Sequence, residues 1–480
     1  MDKPIKSQVH LVTPAIPSSP GWNYELTNLD LINWIPRPEY HELVFFFRDC
    51  VSPHHGEREL HQGLKSSLSK ALAEFPVLAG RICHGEAPFK LEVNVNSQGV
   101  NVIESRSDAS LDEWSDLRQC PISVDFSLSG DHADLSQMSL MQVQVTTFRC
   151  GGVAIGFHFL HMVMDGYSLV KFLTRWSEIH RGVSPINPRT RQDFTTAVLK
   201  ARSSPVVDAP VPFVVENAQQ DALGFDFGRA EEHESMVLRM GKEAIDSCAR
   251  EIESSTKFGY GRATTFETVS ALLWSSITAA KAIPGHLDTS YMLPINLRSK
   301  GRFAPQIPED YFGNALIPCQ AYAATAGQVA SDKSFAAKLI HEKIVSSDHL
   351  CMRSAVDWLE LNSPMALPAS LHWKRGLLST SLGRFPVYGI DFGWRGGALA
   401  QLCLLPTALP PSFVALFPAP APEPKSIDQS RGVDIHIRLA QTHKEKLLND
   451  VFFTRNFADK EISSWSKSLC KKALKVAMKA

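Results

Sequence analysis

The stretch from residue 141 to residue 160 places the strongest constraint on the fold of this chain. Apolar and polar residues alternate over Met141–Thr146, the Gly151–Gly152 pair supplies a turn, and the alternation resumes over Val153–Phe159. A period of two is that of a strand with one buried face, and glycines between two such runs are typical of a β-hairpin. The pattern predicts a half-buried antiparallel pair, which excludes a regular doubly wound parallel sheet.

Helical patterns alternate with strand patterns elsewhere. Apolar residues recur at helical spacing over Leu60–Phe75, and Pro76 then ends the pattern. Thr264 and Glu267 form a capping-box pair ahead of a second amphipathic helix. We therefore expect an α/β chain whose sheets are partly antiparallel.

Two proline-rich stretches separate these patterns. Residues 203–213 contain three prolines, and residues 405–425 contain seven. Proline cannot donate to a strand ladder and breaks a helix interior. We predict that the first stretch is a crossover between domains and that the second is an irregular surface loop.

Composition narrows the functional classes. The 480 residues carry 49 Lys and Arg against 50 Asp and Glu, so the net charge of −1 provides no overall attraction for nucleic acid. No run approaches the ~18 apolar residues of a membrane span, and the first ten residues lack the apolar segment of a secretory signal. The nine cysteines are an odd number without a CxxC pair, which favours free thiols in a reducing compartment.

His161 lies where the second hairpin strand is expected to end, and Asp165 and Gly166 follow it before another helical pattern. A neutral imidazole held by a rigid strand is a competent base near neutral pH. A lone histidine is more often a core residue, so this residue alone does not establish a site. His158 is the competing base. The pair lacks the cysteines or carboxylates that would complete a metal shell, so no metal is expected.

Motifs along most of the chain resemble those of the BAHD family of CoA-dependent acyltransferases. Residues 161–166 read HxxxDG, and Asp391–Arg395 read DFGWR, which is similar to the family's DFGWG. Shorter likenesses cover residues 67–81, 296–300 and 311–314. Together they extend over about residues 25–450.

This resemblance implies a two-domain, chloramphenicol-acetyltransferase-like α/β fold, with mixed sheets, flanking helices and a channel between the domains. We expect an N-terminal domain over residues 1–202, a crossover at 203–225 and a C-terminal domain over 226–459. The implied function is transfer of an acyl group from acyl-CoA, as co-substrate, to a hydroxyl or amine of a small specialised metabolite. We further expect a cytoplasmic monomer without a permanently bound cofactor.

In the mechanism that the resemblance implies, His161 takes the acceptor's proton and the acceptor attacks the thioester directly. The chain has no recognisable GxSxG nucleophile elbow, which is consistent with a reaction that forms no covalent intermediate.

The resemblance gives other motif residues supporting roles. Asp165 is expected to point away from the channel toward Arg298, and its place before Gly166 also suits a helix cap. Asn296 stands where the family has Asp, so the ion pair of Arg298 would rest on Asp165 or Asp391. A packed turn that supports the site is expected from three residues: Asp391, Gly393 and Trp394.

The sequence differs from the family's motifs at two further positions, one in the DFGWR turn and one in the strand expected to face the acceptor. Arg395 replaces the last glycine of DFGWG, so this position should not need a positive φ. Leu382 replaces the tryptophan of the family's TSW strand. Thr380 and Asn314 are possible contacts to the substrate or oxyanion.

Two other functions stay open. The chain could be a condensation-type acyltransferase that uses a carrier-protein thioester, or a degenerate family member that acts as a binding partner. Leu160 before His161 removes the HHxxxDG form of condensation domains, and intact His161 and Asp165 argue against degeneracy.

Residues 460–480 are expected to form a basic amphipathic tail. They contain six lysines and one acidic residue, and apolar residues recur at steps of three and four from Ile462 to Ala480. A terminal surface helix is the simpler interpretation, and weak contact with an anionic membrane is the alternative.

Overall fold

The computed structural model describes residues 7–32, 40–51, 56–86, 90–113, 117–119, 134–184, 198–209, 211, 233–362, 375–397, 399–405, 411–420 and 432–456. The predicted tail at 460–480 and most of the 203–225 crossover lie outside these residues. No helix among the described residues is long and apolar enough to cross a membrane.

Fifteen strands are present in the described part of the chain. They are β1 (Ser7–Val12), β2 (Asn23–Glu25), β3 (Tyr40–Phe47), β4 (Arg81–His84), β5 (Leu91–Asn94), β6 (Val100–Ser107), β7 (Met141–Phe148), β8 (Val153–Leu160), β9 (His233–Met240), β10 (Thr289–Asn296), β11 (Leu316–Ala323), β12 (Leu377–Ser381), β13 (Gln401–Leu404), β14 (Phe413–Pro418) and β15 (Val433–Ala440).

These strands form two larger sheets and one small one. The first sheet has the order β1–β6–β7–β8–β3–β13, the second has the order β11–β10–β12–β14–β15–β9, and a third joins β2, β5 and β4. Both larger sheets mix parallel and antiparallel pairs; for example, β6 runs parallel to β7, whereas β8 runs antiparallel to it. The mixed α/β architecture predicted from the sequence is confirmed.

The described residues also form helices. They are α1 (Asn28–Leu31), α2 (Glu57–Glu74), α3 (Gly166–His180), α4 (Lys242–Ser254), α5 (Thr265–Ala280), α6 (Ala326–Ser331), α7 (Lys333–Ser346), α8 (His349–Asn362), α9 (Gln441–Asn449) and α10 (Val451–Arg455).

Both helices predicted from periodicity are confirmed. Helix α2 ends before Pro76, which begins a short 3₁₀ turn. At the start of α5, Thr264 Oγ1 accepts from the Glu267 backbone N at 3.2 Å, and Glu267 Oε2 accepts from the Thr264 N at 2.7 Å. This reciprocal pair satisfies two of the N–H groups that a helix start leaves without intrahelical partners.

The predicted hairpin is present, but it is buried more deeply than the alternation indicated. Strands β7 and β8 pair antiparallel, with Met141 opposite Phe159. Gln144 and Thr146, on the face expected to meet solvent, are 1% and 3% exposed. A second apolar cluster, which includes Phe46, covers that face, and Gln144 Nε2 donates to Thr146 Oγ1 at 3.1 Å. The prediction of a half-buried hairpin was wrong because the expected solvent face is covered. The hydrogen bond between Gln144 and Thr146 offsets the cost of burying these polar side chains.

The prediction of an irregular loop over 405–425 was also wrong in part. Residues Phe413–Pro418 form β14, a buried strand between β12 and β15 in the second sheet. Five successive apolar residues precede Pro418, and such a run suits a strand that is covered on both faces. Pro418 is the last residue of the strand, where the chain leaves the sheet.

The chain returns to the first sheet after it has built much of the second. Strand β13 pairs antiparallel with β3, and Leu402 lies opposite Phe45. Helices α2 and α3 pack on this sheet, where Phe157 and Trp176 share one core. A separate core around Trp274 and Tyr291 lies at the second sheet. The segment that carries DFGWR therefore leads directly into the sheet that carries HxxxDG.

Candidate active site

The backbone around His161 consists of rigid elements joined without a long loop. Strand β8 ends at Leu160, a 3₁₀ turn spans His161–Val163, and Asp165 is the N-cap of α3. His161 itself is partly exposed, whereas Met162 and Val163 are buried. An anchored backbone at a partly exposed histidine is the arrangement that a general base needs.

The two histidines that compete as the base have different surroundings. The buried His158 ring stacks on Tyr40 at 4.1 Å between centroids, and its Nδ1 lies 3.2 Å from Glu42 Oε1. The His161 ring instead lies 4.5 Å from the ring of His41, with a tilt of 56°. His158 therefore belongs to a packed polar group, and His161 is the better candidate for a base.

His41 was not found by sequence reasoning. It lies on β3 opposite Phe159 of β8, and His161, in the turn that follows β8, brings its ring to 4.5 Å from the ring of His41. The two histidines are 120 positions apart in the chain, and only the strand register brings them together. A sequence signal could have come only from pairing the two strands correctly.

Asp165 is completely buried, and its carboxylate is surrounded by donors. Oδ1 accepts from the Ser168 backbone N at 2.9 Å, while Oδ2 accepts from Arg298 Nη1 at 2.7 Å and from the Ala315 N at 3.0 Å. Burial raises the pKa of this carboxyl, but the Arg298 charge and the hydrogen bonds outweigh burial and hold the pKa below its usual range. Asp165 is thus ionised and directed to Arg298, not to His161.

Arg298 joins the start of α3 to a loop of the second half of the chain. Its Nη2 donates to Ser168 Oγ at 3.1 Å and to the Gly313 carbonyl at 2.8 Å. Its guanidinium lies over the Tyr167 ring at 4.6 Å and over the Tyr311 ring at 5.1 Å. These contacts hold the charge in place on several sides.

The ion pairing left open by the sequence is resolved by these contacts. Asn296 Oδ1 accepts from the Arg298 backbone N at 3.0 Å, so the residue that replaces the family's Asp supports the turn without a charge. The pair of Arg298 rests on Asp165. Asp391 instead lies 3.5 Å from Arg181 Nη1.

Asn314 contacts the backbone of the candidate base. Its Nδ2 donates to the His161 carbonyl at 2.9 Å and to Asp30 Oδ1, also at 2.9 Å. An amide nitrogen has two N–H donors, and both are used here. The side chain is 1% exposed. The structure therefore places this possible substrate contact where it holds His161.

Asp30 is a second buried carboxyl that sequence reasoning missed. Its Oδ2 accepts from both the backbone N and the Oγ1 of Thr27 at 2.7 Å, and its Oδ1 accepts from Asn314. Burial raises the pKa of Asp30 to about 6, although these hydrogen bonds oppose the rise. The Thr-x-x-Asp pattern at 27–30 is a capping-box signal that could have identified it.

The DFGWR turn packs at the far end of α3. Asp391 Oδ1 accepts from the Gly393 N at 2.7 Å, and the Phe392 ring meets Trp176 edge to face at 5.1 Å. Phe392 also stacks on Trp394 at 4.8 Å. Trp176 lies in the last turns of the 15-residue helix α3. At 1.5 Å per residue that end is ~20 Å from Asp165, so the turn lies well away from the His161 ring.

Gly393 and Gly396 are each required in this turn, for different steric reasons. Gly393 has a φ of 80°, in the left-handed region. A Cβ on Gly396 would lie 1.8 Å from the Arg48 carbonyl oxygen, so only glycine fits there. Arg395 is exposed and does not have a positive φ, so the prediction that this position does not need one is confirmed. The close approach occurs at the residue after the substituted glycine.

Of the predicted acceptor strand, Leu382 lies against the start of α3. Thr380 is a partly exposed residue of β12, opposite Ala415 of β14. Leu382, just beyond that strand, is 7% exposed, and a Cβ built on Gly166 would lie 3.4 Å from its Cδ1. The leucine that replaces the family's tryptophan is therefore packed over Gly166.

No group of three or more His, Cys, Asp or Glu side chains within the described ranges has a geometry that could hold a metal ion.

The chain is similar to several known proteins. A family model described as "Transferase family" matches residues 5–451. Shikimate O-hydroxycinnamoyltransferase of Nicotiana tabacum is 29% identical over 408 residues, which are 80% of this chain and 86% of the relative. A hydroxycinnamoyl-CoA:5-hydroxyanthranilate N-hydroxycinnamoyltransferase of Avena sativa is 30% identical over 347 residues, covering 69% of this chain and 75% of the relative.

Two solved structures share the fold. Vinorine synthase superposes with a TM-score of 0.68 at 20% identity, covering 94% of this chain and 98% of its own. Fusarium graminearum TRI101, in complex with coenzyme A and deoxynivalenol, superposes with a TM-score of 0.72 at 14% identity, covering 93% and 100%.

Proposed function

Because the chain belongs to the BAHD transferase family and is an acyl-CoA-dependent acyltransferase, we propose that it transfers a hydroxycinnamoyl group from CoA to a hydroxyl or amine of a small specialised metabolite. The acyl class is supported by the relatives, which are named as O- and N-hydroxycinnamoyltransferases. The placement of His161 carries the proposal. Its backbone is fixed by Asn314 and by the cap of α3, and the residue is partly exposed.

The chemistry assigned to His161 is general base catalysis. Its imidazole takes the proton of the acceptor O–H or N–H as the acceptor attacks the thioester carbonyl carbon. A C–O or C–N bond forms and a tetrahedral oxyanion results. The oxyanion collapses as the C–S bond breaks, and the CoA thiolate leaves with the proton that the imidazolium returns. A base in this position contributes about 10²–10⁴ to the rate.

The remaining site residues have supporting roles in this proposal. Asp165 and Arg298 hold the start of α3, which Gly166 begins, and Asn314 holds the His161 carbonyl. Thr380 is proposed to donate to the oxyanion or the acceptor. At the other end of α3, three residues pack the turn: Asp391, Gly393 and Trp394.

We also propose that acyl-CoA and the acceptor meet in a channel between two domains, divided at the 203–225 crossover. The two six-stranded sheets and their separate cores support this division, and β13 is the strand that returns from the second half to the first sheet.

The proposed cellular setting is a cytoplasmic monomer without a permanently bound cofactor. Among the described residues, seven cysteines are free thiols, which suits a reducing compartment. Sedimentation of the purified chain tests the oligomeric state.

A donor and acceptor screen tests the activity directly. The full chain is incubated with p-coumaroyl-, caffeoyl-, acetyl- and malonyl-CoA, and in parallel with a p-coumaroyl thioester of an acyl carrier protein, against a mixed alcohol and amine library. Products are identified by mass. Hydroxycinnamoyl esters or amides are expected. Transfer only from a carrier-protein thioester would favour the condensation-type alternative, and no transfer from any donor would favour a binding role.

A further inference from the structure

This inference rests on the proposed function, in which His161 is the general base. A base must hold its ring in one orientation, yet the last torsion of a histidine side chain is broad, without sharp staggered minima. In a catalytic triad a carboxylate supplies that orientation through a hydrogen bond to the ring. Here Asp165, the carboxylate four residues away, is turned to Arg298, Ser168 and Ala315.

The ring of His41 lies directly against the base. The two ring centroids are 4.5 Å apart with a tilt of 56°. His41 also contacts Phe159, at 6.0 Å between centroids, and Phe159 is 2% exposed. Along this face of the sheet the rings therefore follow one another as Phe159, His41 and His161.

The support under His41 comes from its strand. His41 is the second residue of β3, which pairs with β8 along its whole length and with β13 over Leu43–Phe46. Its register against β8 is continuous from Tyr40 opposite Leu160 to Phe47 opposite Val153. An aromatic ring fixed on an inner strand makes a firm surface for the ring beside it.

We propose that His41 is a positioning residue that holds the His161 imidazole by ring-to-ring packing, in the place that a carboxylate takes in a triad. Asn314 fixes the backbone of the base through the His161 carbonyl, and His41 fixes its ring. Loss of the packing leaves the base present but misplaced, and a misplacement of about 1 Å can cost on the order of 10² in rate.

Three variants test this role: His41→Ala, His41→Phe and the matched control His158→Phe. The control alters a histidine that also stacks on a neighbouring ring but belongs to a different group, formed with Tyr40 and Glu42. Steady-state kcat, the KM for p-coumaroyl-CoA and the melting temperature are measured for each variant alongside wild type and His161→Ala.

Removal of the ring should lower kcat, and an aromatic replacement should restore it. We expect His41→Ala to lose about 10–100-fold in kcat, with an unchanged KM for the donor and a near-native melting temperature. His41→Phe should keep kcat within about threefold of wild type, since it retains a ring without the nitrogens. The control His158→Phe should leave kcat at the wild-type level.

Three results would overturn the proposal. Full turnover in His41→Ala would show that the packing is dispensable. A loss in His41→Phe equal to that in His41→Ala would show that the imidazole nitrogens act, not the ring contact. Full turnover in His161→Ala would remove the base itself, and this result alone would also overturn the proposed function.

Discussion

Arg298→Met isolates the energetic role of the buried ion pair beside the candidate base. Arg298 is 7% exposed and Asp165 is 0% exposed, and their side chains meet at 2.7 Å. The substitution removes the charge that offsets burial of Asp165, and Ser168 Oγ and the Gly313 carbonyl each lose a donor. Loss of one partner of a buried pair costs about 3–5 kcal/mol, which is a large part of a typical stability of ~5–15 kcal/mol. Turnover should fall as well, because Asp165, the N-cap of α3, lies only four residues after His161.

The cost should depend on pH in a defined direction. In the wild type the folded pKa of Asp165 is lowered, because Arg298 and the hydrogen bonds outweigh burial. Such a carboxyl adds stability that is present above its unfolded pKa of about 3.9 and is lost as pH falls through the lower folded value. In Arg298→Met, burial acts on Asp165 without that charge, so the folded pKa of Asp165 rises. The stability of the variant therefore falls as pH rises from about 4. The gap between the two proteins should therefore widen from pH 4 to pH 7.

Urea unfolding at several pH values measures this gap, with Arg106→Met as the matched control. Arg106 lies 3.5 Å from Glu57, and their side chains are 57% and 40% exposed, so its loss should cost less than about 1 kcal/mol. The double variant Asp165→Asn/Arg298→Met should lose less stability than the two single variants together. A stability loss for Arg298→Met no larger than that of the control, or a difference that narrows toward pH 7, would show that the Arg298–Asp165 pair does not stabilise the fold.

Three further predictions concern separate features. Gly396→Ala should lower the melting temperature by several degrees, because its Cβ would lie 1.8 Å from the Arg48 carbonyl oxygen, whereas Arg395→Gly should leave it nearly unchanged; equal effects in thermal melts would contradict this. Because burial raises the folded pKa of Asp30 to about 6, the native state binds this proton more tightly than the unfolded state. Wild type should therefore lose roughly 2 kcal/mol of stability relative to Asp30→Asn between pH 4 and pH 7, and a difference that moves the other way in unfolding titrations would disprove it. Deletion of residues 460–480 should leave acyl transfer within about twofold of wild type. If the full chain and the truncation sediment equally with anionic vesicles at low salt, the tail does not contact membranes.

Local patterns identified the part of the site that lies within one stretch of chain. The alternation before His161, the spacing to Asp165 and the following helical period are all readable without distant contacts. The Thr264–Glu267 capping box was readable for the same reason, since its partners are three residues apart.

Residues that reach the site from distant parts of the chain could not be predicted from the sequence. His41 meets His161 only because β3 and β8 pair in one register. Asp30 reaches the base through Asn314, which lies 284 positions along the chain. Sequence spacing carries no information on such contacts unless the topology is already known.

Two fold predictions failed because composition was given more weight than burial. The prolines of 405–425 concealed the apolar run that forms β14. The polar residues of β7 indicated a solvent face, but Gln144 and Thr146 hydrogen-bond to each other beneath a second cluster. In both cases the covering elements come from elsewhere in the chain.

General base catalysis by His161 is tested most directly by the rate of CoA thiol release from p-coumaroyl-CoA by wild type, His161→Ala and His158→Ala, with and without a productive acceptor. Release by wild type should require the acceptor. His161→Ala should lower the rate by about 10²–10⁴-fold with donor binding retained, and His158→Ala should lower it less. A burst of CoA without acceptor, which would reveal a covalent acyl-enzyme, or a greater loss in His158→Ala than in His161→Ala, would contradict it.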